Sequence, residues 1–277
     1  MIEDIYFQDE GKVKILAASV GISKKRWIAI TEDEDDGGKH REKMSEYRID
    51  HLPIIPNNGV ITEFYKTKTP DNFTEIEKEL ISHEDVLPID TTIETVIDKF
   101  CKEKKSFYFL SFNKEISGLI TIGNLNCKQV QVYVFSLVCE LERELAIFLN
   151  FHLNNDEILK WLNEKSEGSK EKRNKYSQIL NTYNTLAEQG LENMLTEHLF
   201  FVDFFNIIKS YGLHNELLLS KQVWKSFSSI NELRNKIAHP TRSLLDNSNT
   251  INDLGKRLLK INDLLFRLNT YKKTNNL

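Results

Sequence analysis

One pattern occurs twice in the first part of this chain, and it limits what the fold can be. Residues Met44–Ile55 read as a short helix running into a strand, Asn57, Asn58 and Gly59 as a turn, and Val60–Tyr65 as the return strand. The same order recurs further on. Thr91–Cys101 reads as an amphipathic helix, Ser106–Phe112 as a strand, Asn113 and Lys114 as a turn, and Ile116–Ile122 as the return strand. A helix–strand–turn–strand unit met twice is an internal repeat. Upstream of it, Val13–Val20 and Arg26–Thr31 read as strands, and the acidic run Thr31–Gly38 reads as a solvated loop without metal-ligand spacing.

After about residue 128 the period changes to that of helices. Val130–Leu149 is one long helix without Gly or Pro, placed so that it could pass a movement from the first half to the second. A helix starting near Asn155 has Asn154 or Asn155 as its N-cap. The polar run Ser166–Lys175 reads as a loop or linker, followed by a helix to Gln189 with Gly190 as its C-cap. Thr196–Lys209 is the most apolar helix, and Tyr211–Gly212 end it. A long helix then ends at His239. After a loop over Asp246–Thr250, Ile251 to Leu268 forms the last helix, with a frayed tail over Lys272–Asn276. The expected architecture is an α+β domain over residues 1–128 and an all-α helical domain over residues 129–277.

Composition enters as a filter. A formal net charge of −4 with 28% charged residues excludes a generally basic nucleic-acid binder, so any such contact needs a local patch or a dimer cleft. No apolar run approaches a membrane span, and the acidic start Met1–Tyr6 lacks the pattern of a signal peptide. Cys101, Cys127 and Cys139 are odd in number and without metal spacing, which suits a reduced, cytoplasmic chain.

The strongest chemical signal lies at Ser228–Ser243. Asn235 and His239 are four apart and share a helix face with Ser228, Asn231 and Glu232. Val223, Phe227, Ile230, Leu233 and Ile237 form the opposite, core-facing stripe, and Arg234 lies toward its edge. Pro240 should stop the helix at His239. A cation, an amide and an imidazole are thus gathered within about two turns. The run Leu233–Pro240, inside its helical context, resembles the Arg-polar-x-x-x-His signature of the HEPN family (higher eukaryotes and prokaryotes nucleotide-binding domains). The resemblance implies a homodimer whose paired motifs face one cleft, and a metal-independent endoribonuclease leaving 2′,3′-cyclic phosphate ends. His239 would move a proton at the 2′-hydroxyl or the leaving oxygen. Arg234 would hold the scissile phosphate, and Asn235 would orient the imidazole or bond that phosphate. No cofactor is implied for cleavage. Glu142 and Glu232 are expected to be exposed helix residues.

The repeat has a resemblance of its own. Leu52–Ile55 with Gly59–Thr62, and Val86–Val96 with Gly118–Asn124, resemble a tandem pair of cystathionine-β-synthase (CBS) motifs. In that family the pattern Gly-hydrophobic-x-Thr/Ser-x-x-Asp/Asn holds ribose and phosphate. Gly118, Thr121 and Asn124 match it in the second copy. In the first copy Thr62 matches, whereas Tyr65 replaces the acidic or amide residue, so that either the first ribose site is lost or Tyr65 stacks on a base instead. The implied regulator is an adenine or signalling nucleotide. Together the two resemblances imply a nucleotide-regulated ribonuclease acting on RNA, in the manner of a bacterial antiviral or stress effector. Two alternatives stand beside it. One is a non-catalytic nucleotide sensor or scaffold whose helical motif is structural. The other is a toxin whose cleft is blocked by an antitoxin or another inhibitory protein partner.

Overall fold

The computed structural model describes residues 14–167, 170–191, 194–239 and 241–276. The acidic start, Val13, Gly168, Ser169 and the stop at Pro240 lie outside them. The chain divides into two compact units: Met1–Tyr133 with Ser243–Asn252, and Val134–Arg242 with Asp253–Leu277. The first is α+β and the second is helical, as the change of periodicity implies.

In the first unit the described elements run α1 (Ala17–Val20), β1 (Ile22–Ser23), β2 (Ile30–Thr31), α2 (Glu32–Asp36), α3 (His40–Tyr47), β3 (His51–Ile55), β4 (Glu63–Thr67) and β5 (Ile76–Leu80). They continue with β6 (Val86–Pro88), α4 (Ile93–Glu103), β7 (Phe107–Phe112) and β8 (Glu115–Thr121). Two four-stranded sheets result, ordered β2-β3-β4-β5 and β6-β7-β8-β1. In each, the first pair is parallel and the next two are antiparallel. In each, helix lies between the parallel strands, which cannot be joined by a tight turn.

The ladders fix which positions of the two copies correspond. His51 faces Lys66 as Phe107 faces Thr121, and Pro53 faces Phe64 as Phe109 faces Leu119. Phe64 then faces Glu79 on β5 as Leu119 faces Ile22 on β1. The register therefore pairs Thr121 with Lys66, where the sequence motif pairs it with Thr62. Apolar faces of the two copies meet in one core that includes Ile61, Phe64, Phe107, Phe109, Ile116 and Leu119.

Several local expectations are corrected. Ala17–Val20 is a helical turn, not a strand; Ser19 Oγ donates to Leu16 O at 2.7 Å and Gly21 N to Ala17 O at 2.8 Å. Of Arg26–Thr31 only the last two residues pair, parallel to β3. The acidic run is not a loop: Thr31 and Glu34 form a capping box, and four acids in the first turn favour the helix dipole. The return strand begins at Glu63, three residues later than read.

The second unit is built on α5 (Lys128–His152), whose first residues belong to the first unit, then α6 (Asn155–Ser166), α7 (Lys170–Glu188), α8 (Phe201–Ser210), α9 (Lys221–Ser226), α10 (Ser228–Ile237) and α11 (Ile251–Thr274). Asn154 caps α6 in a box with Glu157, and Gly190 and Gly212 take positive φ just beyond α7 and α8. Helix α7 starts inside the run read as a linker, and α11 runs on through Lys272 to Thr274 instead of fraying. The expected long helix up to His239 is broken at Phe227. Ser229 Oγ and Lys260 Nζ both donate to Ser226 O, at 3.0 and 2.7 Å, and take the carbonyl that a continuous ladder would use. The break turns Val223 outward, 45% exposed, while Phe227, Ile230, Leu233 and Ile237 stay buried.

Candidate functional site

One cleft lies wholly in the first unit and has a volume of about 770 Å³, the size of a small-molecule site. Its floor is aromatic. His51 and Phe107, which correspond in the two copies, pack against each other with centroids 3.7 Å apart and planes tilted by 35°, and Phe64 packs 5.3 Å from Phe107. Trp27 forms part of the wall, and its indole N–H is buried with no acceptor among the described residues. Around this floor stand six cations, Arg26, Arg48, Lys66, Lys68, Lys104 and Lys105, against three carboxylates, Asp50, Glu79 and Asp85.

The carboxylates are already engaged. Asp50 accepts from Thr67 Oγ1 at 2.8 Å and from Asp71 N at 3.0 Å, Glu79 pairs with Lys66 at 2.8 Å, and Asp85 pairs with Lys105 at 2.8 Å. Arg26 and Lys104 have no ion pair among the described residues, and the Arg48–Asp71 pair is long, 3.5 Å, and largely solvated. Lys68 pairs with Glu77 at 2.9 Å, so the cleft's surplus of cations is carried by Arg26 and Lys104, with the loosely held Arg48, and that local surplus favours an anion in a chain of net negative charge.

His51 is kept uncharged by this setting. Burial, chiefly, with a smaller push from Lys66, lowers its imidazole to about 4 against a pull upward from Asp50. The unfolded chain accepts a proton there near 6.5, whereas the fold refuses it down to about 4. The associated stability is whole above pH 6.5 and is lost as the pH falls toward 4, by at most about 3 kcal/mol. Urea unfolding of wild type and His51→Phe from pH 8 to 4 should show the wild type losing ground to the variant only below pH 6.5. Parallel curves would remove His51 from the account.

Among the sequence-derived nucleotide residues, Thr121 lines the cleft, followed by Gly123. Thr121 Oγ1 donates to Asn124 Oδ1 at 3.0 Å, and Thr121 N donates to the same oxygen at 2.8 Å, so Asn124 fixes the turn behind Thr121. Gly118, Thr62 and Tyr65 stand outside the lining. A Cβ on Gly118 would lie 2.4 Å from Ile22 O, so the backbone approaching it is that of β1. Thr62 is exposed. Tyr65 donates to Asp35 Oδ1 at 2.7 Å and stacks on His40 at 4.1 Å, and burial with that bond pushes its phenol up to about 12. The cations, Trp27 and the His51–Phe107 pair were not singled out from sequence.

The second constellation lies at the end of α10. The helix ends at Ile237, two residues short of the expected His239. Arg234 is half-buried, and its Nη1 is 3.5 Å from Asn235 Oδ1; Asn235 and His239 are exposed. The Arg234 charge reaches two groups on α5. Burial raises the Glu142 carboxyl and the Cys139 thiol, and the guanidinium pulls both back down. Glu142 is therefore half-buried beside Arg234 and not free in solvent, whereas Glu232 is exposed and bound by Arg257 at 2.6 Å. Among the described residues no cluster of His, Cys, Asp or Glu could hold a metal, and no helix is long and apolar enough to cross a membrane.

No protein-family model matches the chain, and no curated protein matches it. Solved structures offer a faint likeness. A hemolysin-like protein containing a CBS domain, from Oenococcus oeni PSU, is 12% identical over 40% of this chain and 88% of its own, with a TM-score of 0.30. Hypoxic Response Protein I is 12% identical over 40% and 96%, with a TM-score of 0.29. A CBS-domain-containing protein from Agrobacterium tumefaciens is 12% identical over 43% and 95%, with a TM-score of 0.28. Likenesses of this size assign neither a ligand nor an activity.

Proposed function

We propose that the first unit binds a nucleotide in the cleft over the His51–Phe107 pair, and that the chain is a nucleotide-responsive regulator. The observation that carries this is the pairing of an aromatic floor with surplus cations in an otherwise acidic chain. Aromatic rings accept the face of a base, cations accept phosphate, and the Thr121 hydroxyl, which already donates to Asn124, keeps a lone pair that can accept from a sugar hydroxyl. The resemblance of the repeat to CBS motifs points to an adenine or signalling nucleotide. Titration calorimetry with AMP, ATP and cyclic nucleotides tests it. Binding should weaken by about tenfold or more in Arg26→Glu and should fall as salt is raised. A folded protein that takes up no nucleotide would end the proposal.

A second reading, a dimeric metal-independent ribonuclease regulated by that nucleotide, is favoured by the grouping of Arg234, Asn235 and Glu142, with His239 exposed two residues past the helix end. The turn of Thr121 and Asn124 leads directly into α5, the helix that carries Glu142, which gives a ligand a covalent route to the group. On this reading end-labelled RNA is cut in EDTA to 2′,3′-cyclic phosphate ends, and His239→Ala loses at least about a hundredfold in rate. Equal rates for wild type and variant would leave the helix end a structural feature and the chain a sensor or scaffold.

A further inference from the structure

The cleft sits on the local two-fold relation between the copies. Corresponding residues His51 and Phe107 are in ring contact, 3.7 Å between centroids and tilted by 35°, and the local two-fold relation of the copies passes between them. Three residues before each, at the end of the preceding helix, stand Arg48 and Lys104. Both line the cleft, both are cations, and both take the left-handed conformation, with φ of 50° and 54°. A helix end of this kind is normally given to Gly, and a side chain there costs about 1 kcal/mol or more. The same cost is met twice, at matching positions, for the same charge. Three residues of chain span at most about 10 Å, so each cation is held close to the axis and on opposite sides of it.

The next matching pairs break the symmetry. Lys66 and Lys68 in the first copy correspond to Thr121 and Gly123 in the second, and all four line the cleft. One wall carries two lysines held by carboxylates, Lys66 by Glu79 at 2.8 Å and Lys68 by Glu77 at 2.9 Å; the other offers a hydroxyl and an open space, with only Thr121 Oγ1 near a Cβ built on Gly123, at 3.5 Å.

We infer that the cleft selects a ligand with at least two linked phosphates, gripped across the pseudo-axis by Arg48 from one copy and Lys104 from the other, with its sugar turned toward Thr121. This deepens the nucleotide reading and rests on it only for the choice of cleft. A single phosphate reaches one wall. A di- or triphosphate reaches both.

The test titrates the full chain with AMP, ADP, ATP and inorganic tripolyphosphate, with divalent cations chelated. It uses wild type, Arg48→Gln, Lys104→Gln and the charge-keeping Lys104→Arg, each checked for its fold by circular dichroism. ATP should bind at least about tenfold tighter than AMP; each Gln variant should lose about tenfold for ATP and under about twofold for AMP, and Lys104→Arg should keep wild-type affinity. AMP binding as tightly as ATP, or a loss confined to one of the two cations, overturns the inference while leaving a nucleotide site. Tripolyphosphate binding as tightly as ATP upholds the two-sided grip and removes the nucleoside. No binding of any of the four overturns both.

Discussion

Removing the Lys175 ammonium is expected to destabilise the helical unit by about 3 kcal/mol. Asp203 on α8 is fully buried, and its Oδ1 takes a bond from Lys175 Nζ at 2.8 Å and one from Tyr176 OH at 3.3 Å. Its Oδ2 has no hydrogen-bond partner among the described residues. Lys175 itself stands over the rings of Tyr176 and Phe200, at 4.9 and 4.5 Å. In Lys175→Met the aliphatic stem remains, but a carboxylate is left in the interior with one neutral donor. Breaking such a pair costs far more than the pair itself contributes, because the remaining charge is stranded. Hydrogen exchange of α7 and α8 measures the loss. Adding Asp203→Leu to Lys175→Met should recover most of it, since an apolar pair strands nothing. A single variant as stable as wild type would mean that water reaches Asp203.

Gly118→Ala is expected to cost the first unit about 3 kcal/mol. The new Cβ would lie 2.4 Å from Ile22 O and 3.2 Å from Ser23 Cα, and both obstacles are backbone. Strand β1 must therefore move off β8, losing the pairing at Ile22–Leu119 and Ser23–Gly118. Gly123→Ala serves as the comparison, because its Cβ meets one side-chain oxygen at ordinary contact distance. Thermal unfolding should fall for the first variant and hold for the second. Unchanged stability in Gly118→Ala together with lost nucleotide binding would return Gly118 to the role its motif suggests.

What the sequence disclosed follows from how local each cause is. The Thr92 cap of α4 and the Asn154–Glu157 box of α6 are made by residues three apart, and they mark helix starts that were legible. So was the tight turn at Asn113 and Lys114, both at positive φ, between two apolar strands. The Thr31–Glu34 box was equally present in the letters, but a run of acids masks it as a loop. Strand β5 has exposed charges on both sides and no apolar stripe; its pairing with β4 alone makes it a strand. The break at Ser226 depends on Lys260, far along the chain, and nothing local announces it. The cleft was illegible for the same reason. His51, Lys66, Lys104 and Phe107 are ordinary residues in ordinary places until two ladders set their register, and only the near-constant offset between the copies hints that they converge. The Arg234–His239 run was legible as a motif, but its neighbour Glu142 lies on another helix and had no signal of its own.

The return of Ser243–Asn252 to the first unit bears on inheritance as much as on folding. The Asn126 side chain accepts from Leu245 N at 2.6 Å and donates to Leu245 O at 3.2 Å, while Leu244 and Asn249 are almost wholly buried. The α+β unit is thus completed by a piece of chain made after most of the helical unit has left the ribosome. A single recombination joint near Tyr133 would part the α+β unit from this patch, and the patch would stay with the helical unit. Exchanging either unit cleanly takes two joints, which makes the pair harder to separate than two units joined by one linker.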